Sequence, residues 1–159
     1  MSTPFGGLSI NANTTASIAG GTASKHTAGW AAHSVSAGGA LDVVPSAANS
    51  RLTLRPGVYR VVGQMSVETE DISGTSGDDA GRVELKLYQG GSAVSGAAGE
   101  VDFQDSDRPQ TVHIEDIIRV TPAQADAGTN YVELWWDATD ASGNDITVKN
   151  GRLLAFRLD

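Results

Sequence analysis

The sequence predicts an all-β domain, and three observations carry that prediction. Apolar residues recur with period two in run after run, no segment keeps helical periodicity for three turns, and clusters of Gly, Asn, Asp and Pro separate the runs. Short strands at regular spacing with turns between them suggest a sandwich or a barrel.

Taken in order, residues 1–24 are rich in Gly, Ala, Ser, Thr and Asn, and only Phe5, Leu8, Ile10 and Ile18 are large and apolar. They read as an extended N-terminal arm with one short strand at residues 8–10, whose large side chains gain by docking. Residues 25–159 form the domain. Weaker strand candidates lie at residues 27–35 and 41–44. Leu52 and Leu54 alternate up to a Pro-Gly corner. Pro56 fixes its own φ and pushes Arg55 to an extended conformation, and Gly57 permits a sharp change of direction. Such a corner suits a strand that switches sheets.

Beyond the corner, Tyr59, Val61, Gly63, Met65 and Val67 share one face of a long strand. Val83, Leu85 and Leu87 mark the next. In residues 112–120, Val112, Ile114, Ile118 and Val120 share a face interrupted by Asp116. A buried unpaired charge is costly, so Asp116 needs an arginine partner (Arg55, Arg119 or Arg152) or a bulge that turns Ile117 inward instead. The bulge is the expectation. "TPAQADAGTN" holds one helical turn at most. Val132, Leu134 and Trp136 then oppose Tyr131, Glu133 and Trp135, which sets two tryptophans on opposite faces of one strand. One can fill the core; the other is exposed, sits in a groove or meets a partner. Ile146 and Val148 alternate, and Leu154, Phe156 and Leu158 close the chain.

At 159 residues the chain suits one domain, and a chain of this size buries about 70% of its unfolded surface. No run of 18 apolar residues is present, so no spanning helix and no membrane association are expected. The N-terminus does not read as a secretory signal. Cysteine is absent, which excludes disulfides and thiol chemistry. The net charge is −8, with 11 scattered Lys and Arg. Nucleic-acid binding needs a basic stripe, so nucleic acid is not an expected partner.

"LTLRPGVYRVVGQMSV" resembles the central strand of the tumour necrosis factor and complement globular-head superfamily, with its Pro-Gly-x-Tyr corner. "RVELKLYQGGSAVS" is similar to the following hairpin, "NYVELWWDA" to the penultimate strand and "DITVKNGRLLAFRLD" to the last. Here "KNGRLL" stands where family members carry an aromatic-Ser-Gly segment. The resemblance covers residues 26–159 and implies a single-domain jelly-roll β-sandwich of about ten strands. It further implies a homotrimer. Similar jelly rolls also occur as structural proteins of tailed bacteriophages, and this chain resembles that use more than the secreted one. The expected function is a non-enzymatic capsid decoration, or cementing, protein. It would bind the major capsid protein on the virion exterior after synthesis in the host cytoplasm, gaining affinity through multivalency. The alternative is a fibre-tip or carbohydrate- or receptor-binding head. Large aromatics anchor interfaces. The candidate interface residues are Phe5, Leu8 and Ile10 of the arm, with Trp30, Tyr59 and Trp135.

No catalytic site, cofactor or metal is expected. His26, His33 and His113 lack the i, i+2 pairing that a jelly-roll metalloenzyme uses. There is no Gly-x-Ser-x-Gly elbow. The carboxylates Glu115 and Asp116, and Asp102, Asp105 and Asp107, lack the aromatic cleft a glycosidase needs. Asp137, Asp140, Asn144 and Asp145, and the loop "DISGTSGDD", offer oxygens of the kind calcium takes, but not at EF-hand spacing. Asn13 opens a glycosylation sequon.

Overall fold

The computed structural model describes residues 5–11, 14–17, 23–35, 42–69, 81–103, 109–139 and 145–159. Their strands are β1 (Phe5–Ile10), β2 (Thr14–Ser17), β3 (Ser24–Lys25), β4 (Trp30–Val35), β5 (Val43–Ser46), β6 (Arg51–Leu54), β7 (Gly57–Thr69), β8 (Gly81–Gln89), β9 (Ser92–Phe103), β10 (Gln110–Val120), β11 (Tyr131–Thr139) and β12 (Asp145–Arg157). One helical turn, α1 (Pro122–Asp126), follows β10 and is capped by Thr121 and Gln124.

Two antiparallel sheets face each other. The front sheet runs β10-β7-β12-β1-β4, with β2 also on β12; the back sheet runs β5-β6-β11-β8-β9, with β3 also on β11. The chain is an all-β jelly-roll sandwich. Its inner faces are those the alternation marks: Tyr59, Val61, Met65 and Val67 from β7, Val83, Leu85 and Leu87 from β8, and Val132, Leu134 and Trp136 from β11 are all buried.

The Pro-Gly corner carries the chain from β6 in the back sheet to β7 in the front sheet. Gly57 has φ +157°, which L side chains rarely adopt, and a Cβ there would lie 2.9 Å from Asp159 Oδ1. The C-terminus locks the corner. Arg157 donates from Nη1 to Asp42 Oδ1 at 2.6 Å, from Nε to Asp159 Oδ1 at 3.0 Å and from Nη2 to the Pro56 carbonyl at 3.3 Å. Beneath it the Tyr59 hydroxyl donates to the Asp42 carbonyl at 3.3 Å, and burial pushes that phenol's pKa up.

Three elements differ from the sequence expectation or exceed it. Residues 5–10 are an inner strand of the front sheet, paired with β12 on one side and β4 on the other. With β2 and β3, the described part of residues 1–24 therefore contributes to both sheets; pairing is what buries Leu8 and Ile10. No bulge occurs in β10, whose register with β7 is continuous from Gln110↔Val67 to Val120↔Gly57. Asp116 stays on the inner side but only half-buried, because β10 is an edge strand. Its carboxylate accepts the Ile117 N–H at 2.7 Å, and Ile117 is 55% exposed. The bulge lies instead in β12, where the register with β7 shifts between Val148 and Asn150.

Close packing between the sheets is sharpest at Gly63. A Cβ there would sit 2.6 Å from Leu134 Cδ1 and 3.0 Å from Ile114 Cγ1. Gly63→Val is predicted to lower stability by about 1–3 kcal/mol, read as a lower urea midpoint at unchanged m-value. An unchanged midpoint would mean that the facing sheets are not packed this tightly.

Candidate functional site

The β12 bulge sets the character of the front sheet's outer face. Upstream of it Val148 points inward; downstream the inward residues are Leu153 and Ala155, both fully buried. Leu154 and Phe156 are consequently turned outward. Register places Phe156 beside Arg60 on β7 and Phe5 on β1, and Leu154 beside Val62 and Gly7. The rings of Phe5 and Phe156 stack with centroids 5.8 Å apart. Leu154 lies over Gly7, where a Cβ would be 2.3 Å from its Cδ2. Ile117 extends the same patch onto β10, opposite Arg60.

Two charges on this face are tied to each other. Arg60 forms a two-pronged ion pair with Glu115, Nε to Oε1 at 2.6 Å and Nη2 to Oε2 at 2.8 Å. The hydrogen bond from Arg60 holds the Glu115 carboxyl below its ordinary range. The Arg60 stem is left between Ile117 and Phe156 as further apolar surface. The result is a two-row apolar patch on the outer face, in which Phe5, Phe156, Leu154 and Val62 are half-buried and Ile117 is exposed.

Of the interface candidates, Phe5 belongs to this patch. Leu8, Ile10 and Tyr59 are fully buried or nearly so in the chain's own core, and Trp30 is 9% exposed. Trp30 Nε1 donates to the His26 carbonyl at 2.9 Å. Trp135 lies on the outer face of the back sheet, half-buried, stacked on Tyr88 at 4.3 Å. Its indole N–H donates to Glu133 Oε2 at 2.9 Å. Glu133 is buried, and its other oxygen takes a bond from Lys25 Nζ at 2.9 Å. Lys25 also donates to the Asn49 carbonyl at 3.0 Å. Trp136, its neighbour, is the core tryptophan.

The three histidines do not converge. His26 is buried, His33 pairs with Ser9 at 2.6 Å near the β4 edge, and His113 stands on β10 at the opposite edge of the same sheet. Among the described residues no group of three or more His, Asp or Glu is placed to hold a metal ion. The calcium candidates Asp140, Asn144 and residues 71–79, the sequon residue Asn13 and the carboxylates Asp105 and Asp107 lie outside the described residues. Asp102 and Asp145 are placed as strand residues of β9 and β12. A cleft of about 400 Å³ beside the β8–β9 hairpin is lined by Gln89, Ser92, Gln124 and Thr129 with small residues between them. It offers no acid, base or nucleophile beyond neutral hydroxyls and amides. No helix among the described residues is long and apolar enough to cross a membrane.

Comparison with solved structures agrees with this architecture. The chain is similar to the structure of Eiger TNF from S. frugiperda, with a TM-score of 0.60 and 11% identity over 98% of this chain and 94% of that one. A more distant likeness is to pika GITRL, with a TM-score of 0.44 and 12% identity over 99% and 98% of the two chains. The first likeness defines the class: the fold is a tumour necrosis factor-like jelly roll. No protein-family model matches the sequence, and no curated protein does.

The Lys25–Glu133–Trp135 set generates a prediction. Lys25→Met leaves the Glu133 carboxylate buried with the indole N–H as its remaining bond. An underpaired buried charge costs about 1–3 kcal/mol or more. Urea unfolding should show that loss, and Lys25→Met/Glu133→Gln should recover part of it. Equal stability of Lys25→Met and the unaltered chain would show that the pair is not formed.

Proposed function

We propose that the chain is a non-enzymatic structural protein that assembles as a homotrimer through the outer face of its front sheet. The observation that carries this reading is the patch centred on the Phe5–Phe156 stack. Adjoining apolar residues turned outward on a sheet mark a contact surface, and aromatic anchors ringed by polar groups match the anatomy of subunit interfaces. The tumour necrosis factor-like fold supports a threefold arrangement.

The finer proposal is that the trimer decorates the exterior of a bacteriophage shell by binding its major capsid protein. Three copies of one weak contact give the avidity such a role needs. A net charge of −8 suits the outside of a particle filled with nucleic acid and disfavours binding to nucleic acid or anionic membranes. A second reading, a carbohydrate- or receptor-binding head, draws on the Trp135–Tyr88 stack on the back sheet, since sugars pack on aromatic rings.

Phe156→Asp tests the assembly and the shell contact together. The variant is expected to keep its β-sheet circular dichroism, to fall to the 16.4 kDa mass of one chain and to lose co-sedimentation with emptied phage shells. A Phe156→Asp protein of unaltered oligomeric mass would remove the front sheet as the interface. Retention of the unaltered protein on immobilised glycans, without binding to shells, would favour the second reading.

A further inference from the structure

His26 sits where the chain crosses from one sheet to the other. Just before it, Ser24 and Lys25 pair with Trp136 and Trp135 of β11 in the back sheet. Four residues after it, Trp30 opens β4, the edge strand of the front sheet, paired with β1. The imidazole is 2% exposed. Its Nε2 lies 3.2 Å from Thr14 Oγ1 of β2. Its ring meets Trp136 edge-on at 4.9 Å and Trp30 at 6.1 Å, and its carbonyl takes the Trp30 indole N–H at 2.9 Å. One residue thus fastens β2, β3 and β4 to the body of the sandwich. Gly29, at φ +73°, presses the crossing onto the same threonine: a Cβ there would be 2.5 Å from Thr14 Cγ2.

No ionisable side chain among the described residues of the elements around it faces this ring. Lys25 turns to Glu133 and the Asn49 carbonyl. Glu133 and Asp137 alternate with Trp136 and so lie on the outer side of β11. His33 of β4 bonds Ser9 on the outer face of the front sheet. A proton on His26 would therefore be a charge held between two indoles with no carboxylate beside it. Burial lowers the ring's pKa, and a hydrogen bond with the Ala28 backbone raises it by less.

We infer that His26 is an acid-sensitive latch, whose protonation frees residues 23–35 and lifts β3 off β11 and β4 off β1 while the rest of the sandwich stays folded. The pieces it fastens are peripheral: β3 is two residues long and β4 is an edge. The pairings β10–β7, β7–β12 and β11–β8 involve none of them. Opening would uncover the edge of β1, a row of backbone donors and acceptors able to take up another strand. The sign follows from linkage. The closed form holds the imidazole neutral, and the open form titrates near the ordinary value of about 6.5. Closure is therefore fully favoured above that value and weakens as pH falls, by about tenfold in the open population per pH unit until the closed form's own pKa is reached.

Hydrogen exchange of the full chain, followed by mass spectrometry at pH 7.5 and 5.5 with intrinsic rates corrected, tests this directly. Residues 23–35 are expected to lose protection at pH 5.5, by up to about tenfold, with β7 and β12 unchanged. His26→Gln should abolish the acid response. If His26→Gln does not fold, the unaltered chain decides alone, because the latch requires local opening. Constant protection of residues 23–35 across the two pH values would overturn the proposal. So would opening in step with β7 and β12, or the same acid response in His26→Gln.

Discussion

Between Val148 and Asn150, β12 carries one residue more than its partner β7, and every side chain beyond that point changes face. A strand's side-chain period is two, so one extra residue exchanges the buried set for the exposed set. Upstream, Val148 is buried against the core opposite Val67; downstream, Leu153 and Ala155 are. Lys149 sits at the irregularity and is ion-paired with Glu68. Because β12 lies between β7 and β1, this one register also fixes which residues of β1 and β12 meet outside, and so creates the Phe5–Phe156 stack. At its far end β12 delivers Arg157 to Asp42 and to the Pro-Gly corner, tying the last strand to the turn that switches sheets.

The two outer faces differ in kind. On the front sheet Val62, Leu154, Phe156 and Phe5 adjoin one another across β7, β12 and β1, and the nearby charges of Arg60 and Glu115 neutralise one another. On the back sheet the aromatic pair Trp135–Tyr88 lies among charged groups, two pairs of which are formed, Glu133 with Lys25 and Lys86 with Glu84, while Asp137 Oδ1 and Arg51 Nε have no hydrogen-bond partner among the described residues. A face that exposes adjacent apolar rows loses free energy by staying in water. One that presents mainly charged groups beside a single aromatic pair has less apolar surface to bury against a protein partner. This contrast is why the proposed self-assembly is placed on the front sheet.

Strands with strong alternation were legible in the sequence. β7, β8, β10 and β11 carry large apolar residues at nearly every second position, so both their existence and their inner faces follow from period two. β9 did not announce itself: "SAVSGAAGEVDF" has few large side chains. Small residues are favoured there by space, since a Cβ at Gly99 would meet the His113 carbonyl at 2.8 Å. Of β1 only residues 8–10 were legible, because two glycines stand in its first three residues. Asp116 misled because a charge on an inward position suggests a bulge, whereas at an edge strand it reaches water without one. The assembly patch was unreadable for the opposite reason. Leu154, Phe156 and Leu158 form a sound apolar alternation, but only the bulge at Lys149 decides which way it points. The latch at His26 joins β2, β3, β4 and β11, and no local pattern encodes that meeting.

The account stands most directly on the solution mass of the unaltered protein, measured by light scattering across a range of concentrations. It predicts a species of three times the 16.4 kDa chain, persisting on dilution to the micromolar range. A mass of one chain at all concentrations would contradict it, because the Phe5–Phe156 face would then be stable in water without a partner copy.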